Sequence, residues 1–445
     1  VVGRERCLET MEKVLNRTTA EQAEIVYTGE DKALTRFAES VIHQNVAADN
    51  RRLAVRVAYG KKVGHAATNA LDEASLRSAL RQAEAVARLQ PDDPDFIAFP
   101  APAPARDLDD LTYFAATAAH TPEARAEAVR ELVVRVNRSE AKLAGSFAVE
   151  AGELAVVNSH GVRQYCRLTK AAFTTLVSKG HGSGYAEAVA RDIAELDPIR
   201  TGKAALAKCL AGQNPQPIEP GEYTVILEAA AVADMLDFLA VEGFNATAVQ
   251  EGRSFMEGCR GEKIMDERIS IWDDGGDPLG LPLPFDFEGV PKERVDCIER
   301  GVARDIVYDS YTAGREAGKR STGHSLPAPN PYGPLPLHLQ MSPGDASLPE
   351  MIESTERGIL VSRFHYTNTV HPKQVIITGM TRDGTFLVEN GRIVSPLPNL
   401  RFTDSVLRAL SAVESVGRER KRQATYFGAS CVPALKISGF RFTGC

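Results

Sequence analysis

The sequence predicts an α+β protein of two domains: an N-terminal domain with a mostly antiparallel sheet and long helices, and a C-terminal β-rich, barrel-like domain. Three observations carry that expectation. At 445 residues, the chain exceeds what one ordinary core organises and suits two units of roughly 200 residues. Its first half alternates period-two runs with long amphipathic stretches, the pattern of strands and half-buried helices. Its second half is rich in glycine, proline and short apolar runs, and ends in a regular meander at 358–401.

In the first half, Leu53, Val55, Val57 and Tyr59 alternate with polar neighbours, and Gly60-Lys61-Lys62 turns the chain into a second strand. Asp72 then caps a helix whose Leu76, Ala79, Leu80, Ala83 and Ala87 share one face, until Pro91 stops it. A second pass uses the same devices in another order. Thr121-Pro122-Glu123 places a capping hydroxyl before a proline at the first helical position, and Val129, Leu132, Val133 and Val136 continue the apolar stripe. Strands near 146–158 and 162–177 follow. Helices on one face of an antiparallel sheet satisfy both passes.

A short helix at 202–210 leads into Asn214-Pro215-Gln216-Pro217-Ile218-Glu219-Pro220-Gly221. This proline-rich stretch sets the expected boundaries: a first domain at 1–212, a linker at 213–221 and a second domain at 222–445. Beyond it come a buried strand at 223–227, a helix of about 230–241, and short strands. In the final meander, Ile359, Val361, Arg363 and His365 fall on one face of a strand, and Val375, Ile376 and Ile377 form a buried-strand run. Arg382-Asp383-Gly384 is expected to turn the chain, and Asn390-Gly391 to do so again one strand later.

Composition narrows the function classes. With 43% hydrophobic and 25% charged residues, the chain is an ordinary globular one. A formal charge of −7, from 52 basic and 59 acidic residues, argues against binding nucleic acid by phosphate neutralisation. Cys7, Cys166, Cys209, Cys259, Cys297, Cys431 and Cys445 are scattered and never form C-x-x-C, so a reducing cytoplasm is expected rather than a zinc ribbon or redox motif. The apolar stretch 229–241 is broken by Asp234 and Asp237, and the N-terminus has no basic-then-apolar leader, so neither export nor a membrane span is expected.

Individual motifs assign no catalytic residue, metal or cofactor. Ser321-Thr322-Gly323-His324 offers a hydroxyl and a base, but no carboxylate stands at a diagnostic spacing and no nucleophile elbow surrounds it. Gly180-His181-Gly182-Ser183-Gly184 lacks the Lys-Ser/Thr of a phosphate loop and reads as a hairpin tip. Cys431 reads as a small buried hydrophobe. His365 and His371 have no carboxylate at a ligand spacing.

Taken in order along the chain, four segments are informative: Asn158-Ser159-His160-Gly161, the 308–313 run YDSYTA followed by Ser321-Thr322-Gly323-His324, the 358–366 run GILVSRFHY, and the 381–386 run TRDGTF. Together they resemble the TldD/PmbA family, described as modulators of DNA gyrase and as peptide-maturation proteases. In that family's catalytic branch the resemblance implies an H-E-x-x-x-H motif after the interdomain joint, with two imidazoles holding a metal and the glutamate polarising its water. Here the corresponding 234–245 segment, DMLDFLAVEGFN, holds no histidine.

The resemblance is therefore to the PmbA/TldE-type branch, the metal-less partner of a TldD-type subunit. It implies a cytoplasmic dimer, with a TldD-type metalloprotease subunit or with a second copy, acting on unfolded peptide captured along exposed strand edges. Arg363, His365, Arg382 and His324 are the expected peptide contacts. A self-sufficient hydrolase with an unrecognised site and a homodimeric peptide-binding protein are the alternatives. No nucleic acid and no membrane partner is expected.

Overall fold

The computed structural model describes residues 2–426 and 428–444, so Cys445 lies outside the described residues. Strands β1 (Gln22–Ala38), β2 (Val41–Tyr59), β3 (Lys62–Thr68), β4 (Lys142–Asn158), β5 (Arg163–Lys179) and β6 (Gly182–Ala190) form one antiparallel sheet in the order β3-β2-β1-β4-β5-β6. Four long helices accompany it among the described residues: α1 (Arg4–Leu15), α2 (Glu73–Leu89), α3 (Pro122–Asn137) and α4 (Pro198–Ala211).

The sheet is a repeat. Helix, three strands and helix occur twice in chain order, and the two copies meet where β1 pairs with β4. Odd-numbered residues of β1 and β4 face the helices: Ile25, Tyr27 and Val157 join α1 and α2, while Phe147 and Val149 join α3 and α4. Even-numbered Val26, Leu154 and Val156 face the other way, onto Leu283 and Phe285 of the second domain. This is the period-two partition of a sheet covered on both faces.

The second pass therefore closes with a helix as the first does. The sequence expectation of a short helix at 202–210 is corrected at its start. Its true start is set by Asp197, whose side chain caps the Arg200 N–H at 2.8 Å ahead of Pro198. The expected Asp72 and Thr121 caps are also present, bonding the Ser75 and Ala124 N–H groups.

Beyond an irregular joint, β7 (Gly221–Leu227), β8 (Arg357–His371), β9 (Ile376–Glu389), β10 (Arg401–Ser405) and β11 (Leu435–Gly444) close into a five-stranded barrel, β8-β7-β11-β10-β9 and back to β8. Phe364, Phe402 and Phe440 fill its interior as a packed aromatic cluster, with ring centroids 4.3 to 5.9 Å apart. A second sheet of short strands runs Val302–Ala303, Val295–Glu299, Ile271–Asp273, Leu339–Met341, Ala429–Val432 and Lys421–Ala424. Helix α5 (Ala229–Glu242) is wedged between this sheet and the barrel. It is apolar along most of its length, as a helix packed on most sides must be.

One expected turn is corrected. Asn390-Gly391 does reverse the chain, with φ of +50° and +75°. Arg382-Asp383-Gly384 does not: it lies inside β9, which stays paired to β8 on both sides of it. The register shifts there, so the residues form a bulge. Asp383 and Gly384 take φ of +55° and +135°, and side-chain parity changes: odd-numbered Thr381 and Asp383 are buried up to the bulge, even-numbered Phe386 and Val388 beyond it.

Between the domains, Arg56 of β2 reaches Glu24 of β1 at 2.7 Å and Glu288 of the second domain at 3.1 Å. Both carboxylates are buried. Arg191, at the end of β6, donates to the Leu281 and Pro282 carbonyls at 3.0 and 2.7 Å. Lys208 of α4 pairs with Glu228 at the start of α5 at 2.7 Å.

Candidate functional site

Helix α5 and strand β8 form the walls of a cavity of about 480 Å³. Asp234 and Asp237 are the only charged residues inside the helix before its last turn. Three positions apart, they lie on one face, and both line the cavity. Burial pushes Asp234 up to about 7, with the Asp237 charge adding to the effect and Arg363 opposing it. Burial likewise pushes Asp237 up to about 6, against a bond from the Tyr426 N–H to its Oδ2 at 3.2 Å. At the helix end, Glu242 accepts from the Thr369 hydroxyl at 2.7 Å and lies 3.9 Å from Arg253.

The opposite wall comes from β8. Arg363 is fixed twice: its guanidinium donates to Oδ2 of Asp383, with Nε at 2.9 Å, and it stacks over Tyr185 at 4.1 Å. The bulge makes the first contact, because it turns the Asp383 side chain inward to 3% exposure. The second reaches across the domain boundary. Tyr185 of β6 in turn donates to Glu187, which also accepts the Ala424 N–H at 3.1 Å and is pushed up by burial.

His365 lines the cavity beside Tyr366, ring centroids 4.4 Å apart. Burial and the neighbouring Arg382 and Arg363 hold its imidazole below the usual range, so it is neutral near pH 7. Tyr366 sits at φ +51° on a second bulge and is 77% exposed, and Tyr426 across the cavity mouth is 84% exposed.

The backbone of β8 matters as much as its side chains. From Gly358 to Val361 it pairs with β7, but beyond Val361 it pairs among the described residues only with β9. Its other edge there runs along the cavity beside α5. An unpaired strand edge beside a cavity can accept an extended segment through main-chain hydrogen bonds.

In the catalytic branch of the resembled family a metal would sit on this helix, and the donor set of α5 tests whether one fits here. The helix offers two carboxylates and a glutamate engaged by Thr369, with no imidazole. Among the described residues no three His, Cys, Asp or Glu side chains gather as a metal-binding group. These residues do not fit a two-imidazole site.

Of the four expected peptide contacts, Arg363 and His365 line the cavity, and Arg382 flanks Asp383 from outside at 4.0 Å. His324 is elsewhere, in the interior and 1% exposed. Its Nε2 is 2.8 Å from Asp273 Oδ1 and its Nδ1 is 3.0 Å from Thr322 Oγ1. The carboxylate absent from the local sequence is thus supplied by a residue 51 positions away. The array is nevertheless structural: Thr322 Oγ1 also donates to the Tyr308 carbonyl and accepts the Tyr308 N–H, and Asp273 additionally accepts the His338 N–H at 2.6 Å and faces buried Lys292. Cys431 is buried, and burial raises its thiol.

The contributions that sequence reasoning missed are those of Asp234 and Asp237, which had registered only as breaks in an apolar run, and of Tyr185, Glu187, Tyr366 and Tyr426. The three-residue spacing of the two aspartates was a readable signal of a shared helix face. Nothing local marked the tyrosines.

Comparison with known proteins follows the same architecture. Residues 220–444 match the model of the PmbA/TldA metallopeptidase C-terminal domain, and residues 23–87 that of PmbA/TldA metallopeptidase domain 1. The Metalloprotease PmbA of Escherichia coli O157:H7 is 24% identical over 411 residues, covering 87% of this chain and 85% of that protein. The Metalloprotease PmbA homolog of Haemophilus influenzae is 25% identical over 415 residues, with the same coverage of 87% and 85%. The crystal structure of TldE from Thermococcus kodakarensis superposes with a TM-score of 0.89 at 21% identity, covering 98% of this chain and 100% of that one, a likeness of fold.

Proposed function

The chain belongs to the PmbA/TldD family, and from that membership we propose that it serves as the metal-less, PmbA/TldE-type subunit of a metalloprotease complex. It holds unfolded peptide while a TldD-type subunit supplies the hydrolytic centre. One observation carries the reading: the cavity between α5 and β8 is fully formed, yet the helix lining it presents carboxylates and no imidazole.

The unpaired edge of β8 beyond Val361 supports the peptide-holding half of the reading, because main-chain bonding captures extended segments with little regard to sequence. A folded substrate has no free strand to offer, so unfolded peptide is the fitting class. The six described cysteines are all unpaired, in keeping with work in a reducing cytoplasm.

Metal analysis and peptidase assays on the purified chain, with and without a TldD-type subunit, test the proposal. The lone chain is expected to carry well under one zinc per molecule and to cleave nothing, with cleavage of a denatured substrate appearing only in the mixture. Stoichiometric zinc with turnover by the lone chain would overturn it in favour of a self-sufficient hydrolase. No effect of the added subunit, with the lone chain running as a dimer in gel filtration, would overturn it in favour of a homodimeric binding protein.

A further inference from the structure

The cavity between α5 and β8 has a sign. Its one guanidinium, Arg363, is already committed to Asp383 and stacked on Tyr185. Asp234 and Asp237 face the same space with no cation paired to either among the described ion pairs. The hydroxyl of Thr367, on the β8 wall, lies buried beside Asp234 without a well-aligned hydrogen bond. At the mouth, two tyrosine rings stand far more exposed than an aromatic side chain ordinarily is.

We propose that this cavity is a subsite for a cationic group of the bound peptide, either a basic side chain or a terminal ammonium, received by the Asp234 and Asp237 carboxylates between the rings of Tyr366 and Tyr426. An ammonium or guanidinium is the group that two carboxylates and aromatic faces both favour. A peptide carboxylate, which Arg363 and His365 suggest when considered alone, would meet two acids and an arginine already neutralised. The proposal deepens the peptide-holding reading and rests on it.

Protonation supports the assignment. Asp234 faces Asp237 on its own helix, Arg363 on β8, and Tyr185 and Glu187 on β6, while His365, Glu242, Tyr366 and Tyr426 complete the titratable lining. Asp237 meets the Tyr426 N–H. Both aspartates are poised between the acid and the carboxylate near neutrality, so an arriving cation favours their ionised forms and expels protons.

Fluorescence-detected binding to the full chain tests this with three short alanine peptides: one acetylated and amidated with a central lysine, its norleucine counterpart, and an all-alanine peptide with a free α-amine. At least one cationic peptide is expected to bind roughly tenfold more tightly than the norleucine peptide. A stronger lysine arm assigns the subsite to side chains, and a stronger α-amine arm assigns it to the peptide terminus. In the Asp234→Asn/Asp237→Asn variant the preference is expected to fall to within about twofold. The Tyr366→Leu/Tyr426→Leu variant, which leaves the helix intact, is expected to weaken it by roughly threefold. Equal binding of cationic and norleucine peptides to the natural chain would overturn the subsite while leaving peptide holding in place. Failure to bind any of the three, even with a TldD-type subunit present, would overturn both.

Discussion

Asp234 and Asp237 are largely desolvated on one helix face, and the fold bears that cost in its stability. A carboxyl that titrates near 3.9 in the unfolded chain and at about 7 for Asp234 or about 6 for Asp237 in the fold binds more protons folded than unfolded across that interval. Stability therefore falls as pH rises from about 4 to about 7. Asp234→Asn and Asp237→Asn are each expected to raise unfolding free energy by about 1–2 kcal/mol at about pH 8, a gain that shrinks toward zero as the pH is taken below about 4. Urea melts at the two pH values check this, and an equal gain at both would refute it. The spacing of the pair was legible, since two acids three apart in an apolar run share a helix face. What they face was not, because β8 lies more than a hundred residues downstream and Tyr185 belongs to the other domain.

At the scale of elements, two glycines do the same work in the two copies of the N-terminal repeat. A Cβ on Gly64 of β3 would sit 2.2 Å from the Ala83 carbonyl of α2, and one on Gly184 of β6 would sit 2.0 Å from the Ala205 carbonyl of α4. Backbone has no rotamer with which to yield. Gly64→Ala and Gly184→Ala are each expected to cost about 1–3 kcal/mol, additively because the sites are far apart. Free tolerance of either in thermal or urea melts would mean that its helix does not seat on the edge strand as described. The strands and helices of this repeat were readable because each buries one face, so periodicity reports it directly. Turns were less so: Asn390-Gly391 and Asp383-Gly384 have the same local signature and both take positive φ. Only long-range pairing to β8, with Arg363 opposite Arg382, makes one a hairpin and the other a bulge.

For the whole molecule, Arg56 is a charged pin between domains. Glu24 is pushed up to about 7 chiefly by burial, even with Arg56 beside it. Replacing the arginine leaves Glu24 and Glu288 buried without a counter-charge, so Arg56→Met is expected to lose about 3–5 kcal/mol at about pH 7. The loss should be smaller at about pH 5, where Glu24 is neutral in the fold. Denaturant unfolding at the two pH values tests it, and a loss independent of pH would point to packing alone. Neither Arg56 nor its acids stood out in the sequence, since a three-way contact between β1, β2 and a loop more than two hundred residues on leaves no periodic trace. The same junction decides something larger. Arg363 belongs to the β8 wall of the cavity, while the ring it stacks on, Tyr185, belongs to the first domain. That stack ties one wall residue to the angle between the two halves, and a torque on that angle would register where guanidinium meets ring.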